Sequence, residues 1–118
     1  MIYTSYWSNL KNLDKNLVVN ISRWNKFWKG ENCDELKPSA KMLIDFKEGK
    51  IGVKEYTYFF KWYLMNLDVK ELAERLDGKI LCCYEKSGFC HRHIVSEWFN
   101  HFGFSAMEFT FNGQGGLF

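Results

Sequence analysis

A single proline, Pro38, stands in the whole chain, and there is no Gly/Ser-rich stretch, internal repeat or low-complexity run. Only Asn112 to Gly116 reads as loose. Nothing therefore divides the 118 residues, which is the size of one domain, residues 1–118. Long apolar runs are missing too. The longest, Tyr56 to Leu67, is broken by Lys61 and is too short to cross a bilayer. Met1 to Ser5 lacks the basic and apolar segments of a secretory leader. The expected location is cytoplasmic, with no membrane partner. An excess of one charge is nearly absent: 16 Lys+Arg against 14 Asp+Glu leave +2. That excludes a polycationic nucleic-acid coat but allows a local basic patch. Cysteines are few. Cys82 and Cys83, adjacent on a strand, point to opposite faces, which argues against a disulfide scaffold. Free thiols are expected at Cys33, Cys82, Cys83 and Cys90.

Aromatics, by contrast, make up 19% of the chain and hydrophobic residues 47%, a load that only a buried core accommodates. Strands are expected near residues 1–5, 17–22, 79–85 and 106–112. Leu17 to Ser22 is β-branched and mostly apolar, as in a strand buried on both faces. Arg23 to Lys37 has no clean period and reads as a loop. Pro38-Ser39 opens a helix carrying Met42, Leu43 and Phe46, with Gly49 past its end. From Val53 to Leu67, the positions Val53, Tyr56, Phe59, Phe60, Tyr63, Leu64 and Leu67 follow helical spacing. Asp68 with Glu71 opens a third helix, which Gly78 ends. A fourth runs from about Cys90 to Phe102. Strands alternating with helices predict an α/β domain with a small, mainly parallel sheet flanked by helices, in a Rossmann-like two-layer or three-layer arrangement.

In such sheets ligands bind at the carboxyl ends of the strands. Those ends carry Thr4, Ser5, Ser22, Arg23 and the stretch Cys83 to Arg92. The turn Lys86-Ser-Gly-Phe89 leads into a helix N-terminus, which favours an anion. The chain has only three arginines, and two of them, Arg23 and Arg92, follow predicted strand ends; their planar forks suit phosphate or carboxylate. The candidate ligand-binding residues are thus Thr4, Ser5, Ser22, Arg23, Cys83 and Arg92. The candidate catalytic residues are Glu85, His91 and Cys90. Cys90 at a helix start is a possible thiolate nucleophile, with His91 beside it as base. A phosphatase-type loop is excluded, because Gly88, Phe89 and Ser96 stand where its arginine would follow Cys82, Cys83 or Cys90. The alternative for Cys83 and Cys90 is small buried residues under the sheet.

Cys83, Glu85, Cys90, His91 and His93 are all metal-ligand types, but their spacing lacks the paired pattern of a structural zinc site. His93, Glu97 and His101 share the outward face of their helix, which is expected to be solvated. No metal and no cofactor is assigned. Arg23-Trp-Asn-Lys-Phe-Trp-Lys29 interleaves bases with aromatics, as a phosphate-contacting and base-stacking loop would. The competing expectation, and the favoured one, is a packed lid with its lysines in water.

The stretch Ile80 to Trp98, with Cys83-Tyr-Glu85 followed by Cys90-His-Arg92, resembles the signature of the family called domain of unknown function 488. Tyr3-Thr4-Ser5, Ile21-Ser22-Arg23, Leu36-Lys-Pro-Ser39, Phe46-Lys47 and Glu55-Tyr56 resemble other parts of that family in order. Where relatives often have a proline after Ser-Arg, this chain has Trp24 to Trp28. The family has no established activity, so the resemblance implies a fold and a site position rather than a reaction. Its motif positions here are Thr4, Ser22, Arg23, Cys83, Glu85, Cys90, His91 and Arg92.

The sequence points to a binding site for a small anionic ligand, a nucleotide or nucleoside derivative, with catalysis left open. In that reading Arg23 and Arg92 share one cleft, Glu85 grips a hydroxyl or acts as base, and His91 orients the ligand or shuttles a proton. One alternative is a nucleic-acid partner on loop 23–29, and another is a thiol or metal sensor.

Overall fold

The computed structural model describes residues 1–110. Five parallel strands form one sheet in the order β3-β2-β4-β1-β5. They are β1 (Ile2–Tyr6), β2 (Val18–Asn20), β3 (Glu31–Asn32), β4 (Ile80–Cys83) and β5 (Ala106–Glu108). Four helices are α1 (Ala40–Lys47), α2 (Val53–Leu64), α3 (Val69–Arg75) and α4 (His91–His101). The small, parallel α/β fold expected from the alternation of elements is what forms.

Side chains alternate along each strand and divide the core in two. Ile2, Val19, Leu81 and Cys83 face the helices, where they meet Tyr56, Phe60 and Leu64 of α2, Leu72 of α3, and Val95 and Phe99 of α4. Val18, Ile80 and Cys82 face the other way, against Trp7 and Leu13. A 3-10 segment, Trp7–Asn12, provides Trp7 and Leu10 to that face. The helix boundaries follow local chemistry. Ser39 accepts a hydrogen bond from the Met42 N–H (3.1 Å), and Asp68 accepts one from the Glu71 N–H (3.1 Å). Gly49 and Gly78 have φ of 75° and 80°, the left-handed conformation that ends a helix at little cost only for glycine.

Several expectations are corrected. Residues 23–37 are not all loop: β3 pairs with β2 there, and a 3-10 turn spans Asp34–Leu36. Helix α2 ends at Leu64, and only Tyr56, Phe60 and Leu64 are buried along it. Phe59 and Val53 are half exposed, because the groove beneath α2 admits a narrower stripe than the seven apolar positions offered. The expected last strand stops at Glu108, and its Phe111 and Asn112, like the loose Asn112 to Gly116, lie outside the described residues.

The strand order positions the site. The chain leaves β2 outward to β3, whereas it leaves β4 through α4 toward β5 on the opposite side. Between the carboxyl ends of β2 and β4 the two connections part, and a crevice opens.

Candidate functional site

A cleft of about 640 Å³ occupies that crevice. From β2's end come Ser22, Arg23 and Trp24; from β4's end come Cys83, Tyr84 and Glu85. Cys90 and His91 at the start of α4 form another wall, and Phe46, Lys47 and Tyr56 of α1 and α2 close it. Six of the nine residues singled out in the sequence are thus brought together: Ser22, Arg23, Cys83, Glu85, Cys90 and His91.

The other three stand elsewhere. Thr4 is buried and donates its hydroxyl to Glu108 Oε1 (2.6 Å), while Ser5, also buried, accepts from Asn9 Nδ2 (3.1 Å). Both lie on β1, on the far side of β4 from β2. Arg92 is only 1% exposed, so the shared cleft for two guanidiniums is corrected. Its Nε and Nη2 form a fork onto Glu108 (3.0 and 2.9 Å), and Nη1 donates to Cys83 Sγ (3.3 Å) and to the Glu85 carbonyl. Nη2 also reaches the Lys86 carbonyl (3.3 Å). Arg92 therefore ties the β4–α4 loop to β5. Burial alone pushes the Glu108 carboxyl upward, but the hydrogen bonds from Arg92 and Thr4 outweigh it and hold the group below the usual carboxylate range. The signal for Glu108 was a lone acid in an otherwise apolar strand.

The expectation of four free thiols is corrected as well. The sulfurs of Cys83 and Cys90 are bonded to each other, because the short loop between β4 and α4 folds one against the other. Cys33 and Cys82 are free and buried, and burial pushes both thiols up to about 12. The expectation that Cys82 and Cys83 face opposite ways does hold, since they fall in different halves of the core.

His91 is buried and donates from Nε2 to the Ile21 carbonyl (2.8 Å). Nδ1 then carries the lone pair, 3.9 Å from Cys90 Sγ. Burial drives its pKa down to about 4; the Ile21 hydrogen bond opposes that, while the Arg92 and His93 charges add to it. At neutral pH His91 is an uncharged acceptor facing the cleft.

Arg23 is exposed and anchored by Nε to the Pro38 carbonyl, and it forms no ion pair among the described residues. Lys47 Nζ lies 5.2 Å from the centroid of the Trp24 ring. Phe89 stands edge-on to Tyr56 (5.0 Å) and close to Phe46 (5.5 Å), which gives the cleft an aromatic wall. Lys47 and Tyr56 were absent from the site assignment, yet both fall within the short matches Phe46-Lys47 and Glu55-Tyr56. Loop 23–29 divides in function. Trp28 and Phe27 both pack on Trp7 (5.2 and 5.1 Å), as a lid would, while Phe27 keeps 54% and Trp24 44% of its surface exposed. His93 and His101 are exposed, and Glu97 on the same helix pairs with Lys61 (3.0 Å).

Among the described residues, no helix is long and apolar enough to cross a membrane. No protein-family model matches the chain, and neither the curated proteins nor the solved structures contain a match to it.

Proposed function

We propose that the cleft binds a small ligand with a planar ring and an anionic group, of the nucleoside monophosphate kind. The observation that carries this reading is the joint placement of Arg23, without an ion pair among the described residues, Lys47 and an aromatic wall around about 640 Å³. That volume falls within the range of roughly 300–1,000 Å³ of small-molecule sites, which are mostly apolar with few polar groups. Arg23 and Lys47 hold the anion, and Trp24, Phe46, Tyr56 and Phe89 flank the ring. Glu85 repels a second negative charge and accepts from a hydroxyl or amine, while neutral His91 accepts from the ligand. The likeness of the Cys-His-Arg stretch to the domain-of-unknown-function 488 family supports the position of the site and adds no chemistry.

Trp24 lines the cleft and reports on occupancy. Adenosine 5′-monophosphate is expected to quench tryptophan emission saturably, more tightly than adenosine or inorganic phosphate alone. Arg23→Ala removes a charged hydrogen bond, about 1.5–3 kcal/mol or roughly tenfold or more in Kd. Equal affinities for wild type and variant, or no saturation, would defeat the reading.

Exposed Trp24 and Phe27 beside exposed Lys26 and Lys29 favour a second reading, a single-stranded nucleic acid stacked on this loop. An affinity for oligonucleotide that falls steeply with salt, and that Phe27→Ala reduces, would select it.

A further inference from the structure

We propose that Cys83, Cys90 and His91 form, in the dithiol state, a site for one soft divalent cation of the zinc class, with an open coordination position toward the cleft. The inference does not depend on the anion reading, with which it shares only the His91 Nδ1 lone pair.

The three donor atoms lie within 4.8 Å of one another, and all three residues are buried. They come from two pieces of the fold: Cys83 ends β4, while Cys90 and His91 are neighbours at the start of α4. Zinc bonds of about 2.3 Å to sulfur and 2.0–2.1 Å to nitrogen place tetrahedral donors about 3.5–3.8 Å apart. Cys90 Sγ and His91 Nδ1, at 3.9 Å, are already near that spacing. The Cα atoms of Cys83 and Cys90 stand 7.3 Å apart. Most disulfides hold them at about 4.4–6.8 Å. The wider backbone separation leaves room for an ion between the sulfurs once they part.

The surroundings are those of a ligand set. Ligating histidines characteristically donate their second ring N–H to a carbonyl or carboxylate, which fixes the ring and turns the other nitrogen to the metal. His91 does this through Nε2 to Ile21. Cys83 Sγ accepts from Arg92 Nη1, a hydrogen bond that stabilises a thiolate, and the Arg92 charge is itself matched by Glu108. Two thiolates balance a divalent ion. Three protein ligands leave one position for water or a ligand atom, and all three line the cleft, so that position opens into it.

Opening the pair takes two electrons. A dithiol reductant gives them, its own sulfurs joining as a cyclic disulfide while Cys83 and Cys90 become thiols. Cation binding then releases the two thiol protons.

The test uses the full chain, reduced with dithiothreitol and desalted without air, then titrated with Co2+. One Co2+ per chain is expected, with a thiolate-to-cobalt charge-transfer band and the intense visible bands of a tetrahedral ion. Zinc should displace it. The bands should be lost in Cys83→Ser and Cys90→Ser, kept in Cys33→Ser, and absent from the unreduced protein. No charge-transfer band in folded, reduced wild type would overturn the proposal, as would bands that survive both serine variants or appear equally without reduction. If the serine variants fail to fold, alkylation of reduced wild type decides. Zinc must then protect Cys83 and Cys90; unchanged labelling of both overturns the site.

Discussion

Arg92→Ala tests the structural reading of the Cys-His-Arg stretch. The guanidinium is 1% exposed and makes hydrogen bonds to Glu108, Cys83 and the carbonyls of Glu85 and Lys86. It also stands 5.5 Å from the Tyr6 ring centroid. Truncation strands a partly buried carboxylate and two loop carbonyls, and it hollows the space beneath the loop. Removing one partner of a buried pair costs about 3–5 kcal/mol. Unfolding entropy of about 2.1 cal/mol/K per residue gives a chain this size roughly 0.25 kcal/mol/K, so each kcal/mol shifts Tm by about 4 °C. Arg92→Ala should therefore lower Tm by about 12–20 °C in a calorimetric scan at neutral pH. Arg92→Lys keeps the charge but not the fork and should fall in between. The double variant Arg92→Ala/Glu108→Ala should be less destabilised than the two single effects combined, because no charge is left stranded. An Arg92→Ala protein melting within about 4 °C of wild type would refute this reasoning and return Arg92 to an exposed role.

Other outcomes follow from the same contacts. Phe60→Ala, at a fully buried position, should cost about 3–5 kcal/mol, whereas Phe59→Ala, half exposed, should cost under about 1 kcal/mol; similar losses in denaturant titrations would contradict the narrow stripe of α2. Burial lowers the His91 pKa from 6.5 to about 4, so between those values the unfolded chain takes up a proton that the folded chain refuses. Stability is then lost on acidification through that window, by roughly 3 kcal/mol in all, and metal-free His91→Gln should lose this part of the pH dependence; parallel stability curves would refute it. Unreduced, denatured protein should show two reactive thiols, Cys33 and Cys82, and reduced protein four. In the folded state both should react slowly, since burial raises each thiol to about 12.

What the chain reveals before folding depends on how local its cause is. Periodicity and caps located α1 to α4, because Ser39, Asp68, Gly49 and Gly78 act within a turn of their own position. Strand β3 escaped, since Glu31-Asn32 is polar and short and owes its form to pairing with β2. At the site, Ser22, Arg23, Cys83 and Glu85 were legible as residues following strand ends. Thr4 and Ser5 met the same criterion and failed, because strand order decides which ends adjoin and no local pattern encodes it. Arg92 looked like an anion ligand for a related reason. Its partner, Glu108, arrives from β5, and only the assembled sheet sets the two side by side. The Cys83–Cys90 contact was hidden by the same loop that made the stretch conspicuous.

The place of β4 in the sheet governs how the chain assembles during synthesis. Strands β1 and β2 are consecutive in sequence yet never touch; β4 lies between them and pairs with both. A nascent chain that has not yet emerged past Cys83 can pair only β2 with β3, over two residues. Helices α1 to α3 are made before the sheet that will cover their apolar stripes. Their hydrophobic residues then wait, exposed, for one late strand, as expected of topologies dominated by distant pairings. It is β4 that bridges β1 to β2 and sets Leu81 and Cys83 against the helix layer. Arrival of α4 and β5 then closes the far edge and delivers Glu108 to Arg92. Truncation ahead of Ile80 would therefore leave an unpaired β1 rather than a smaller domain.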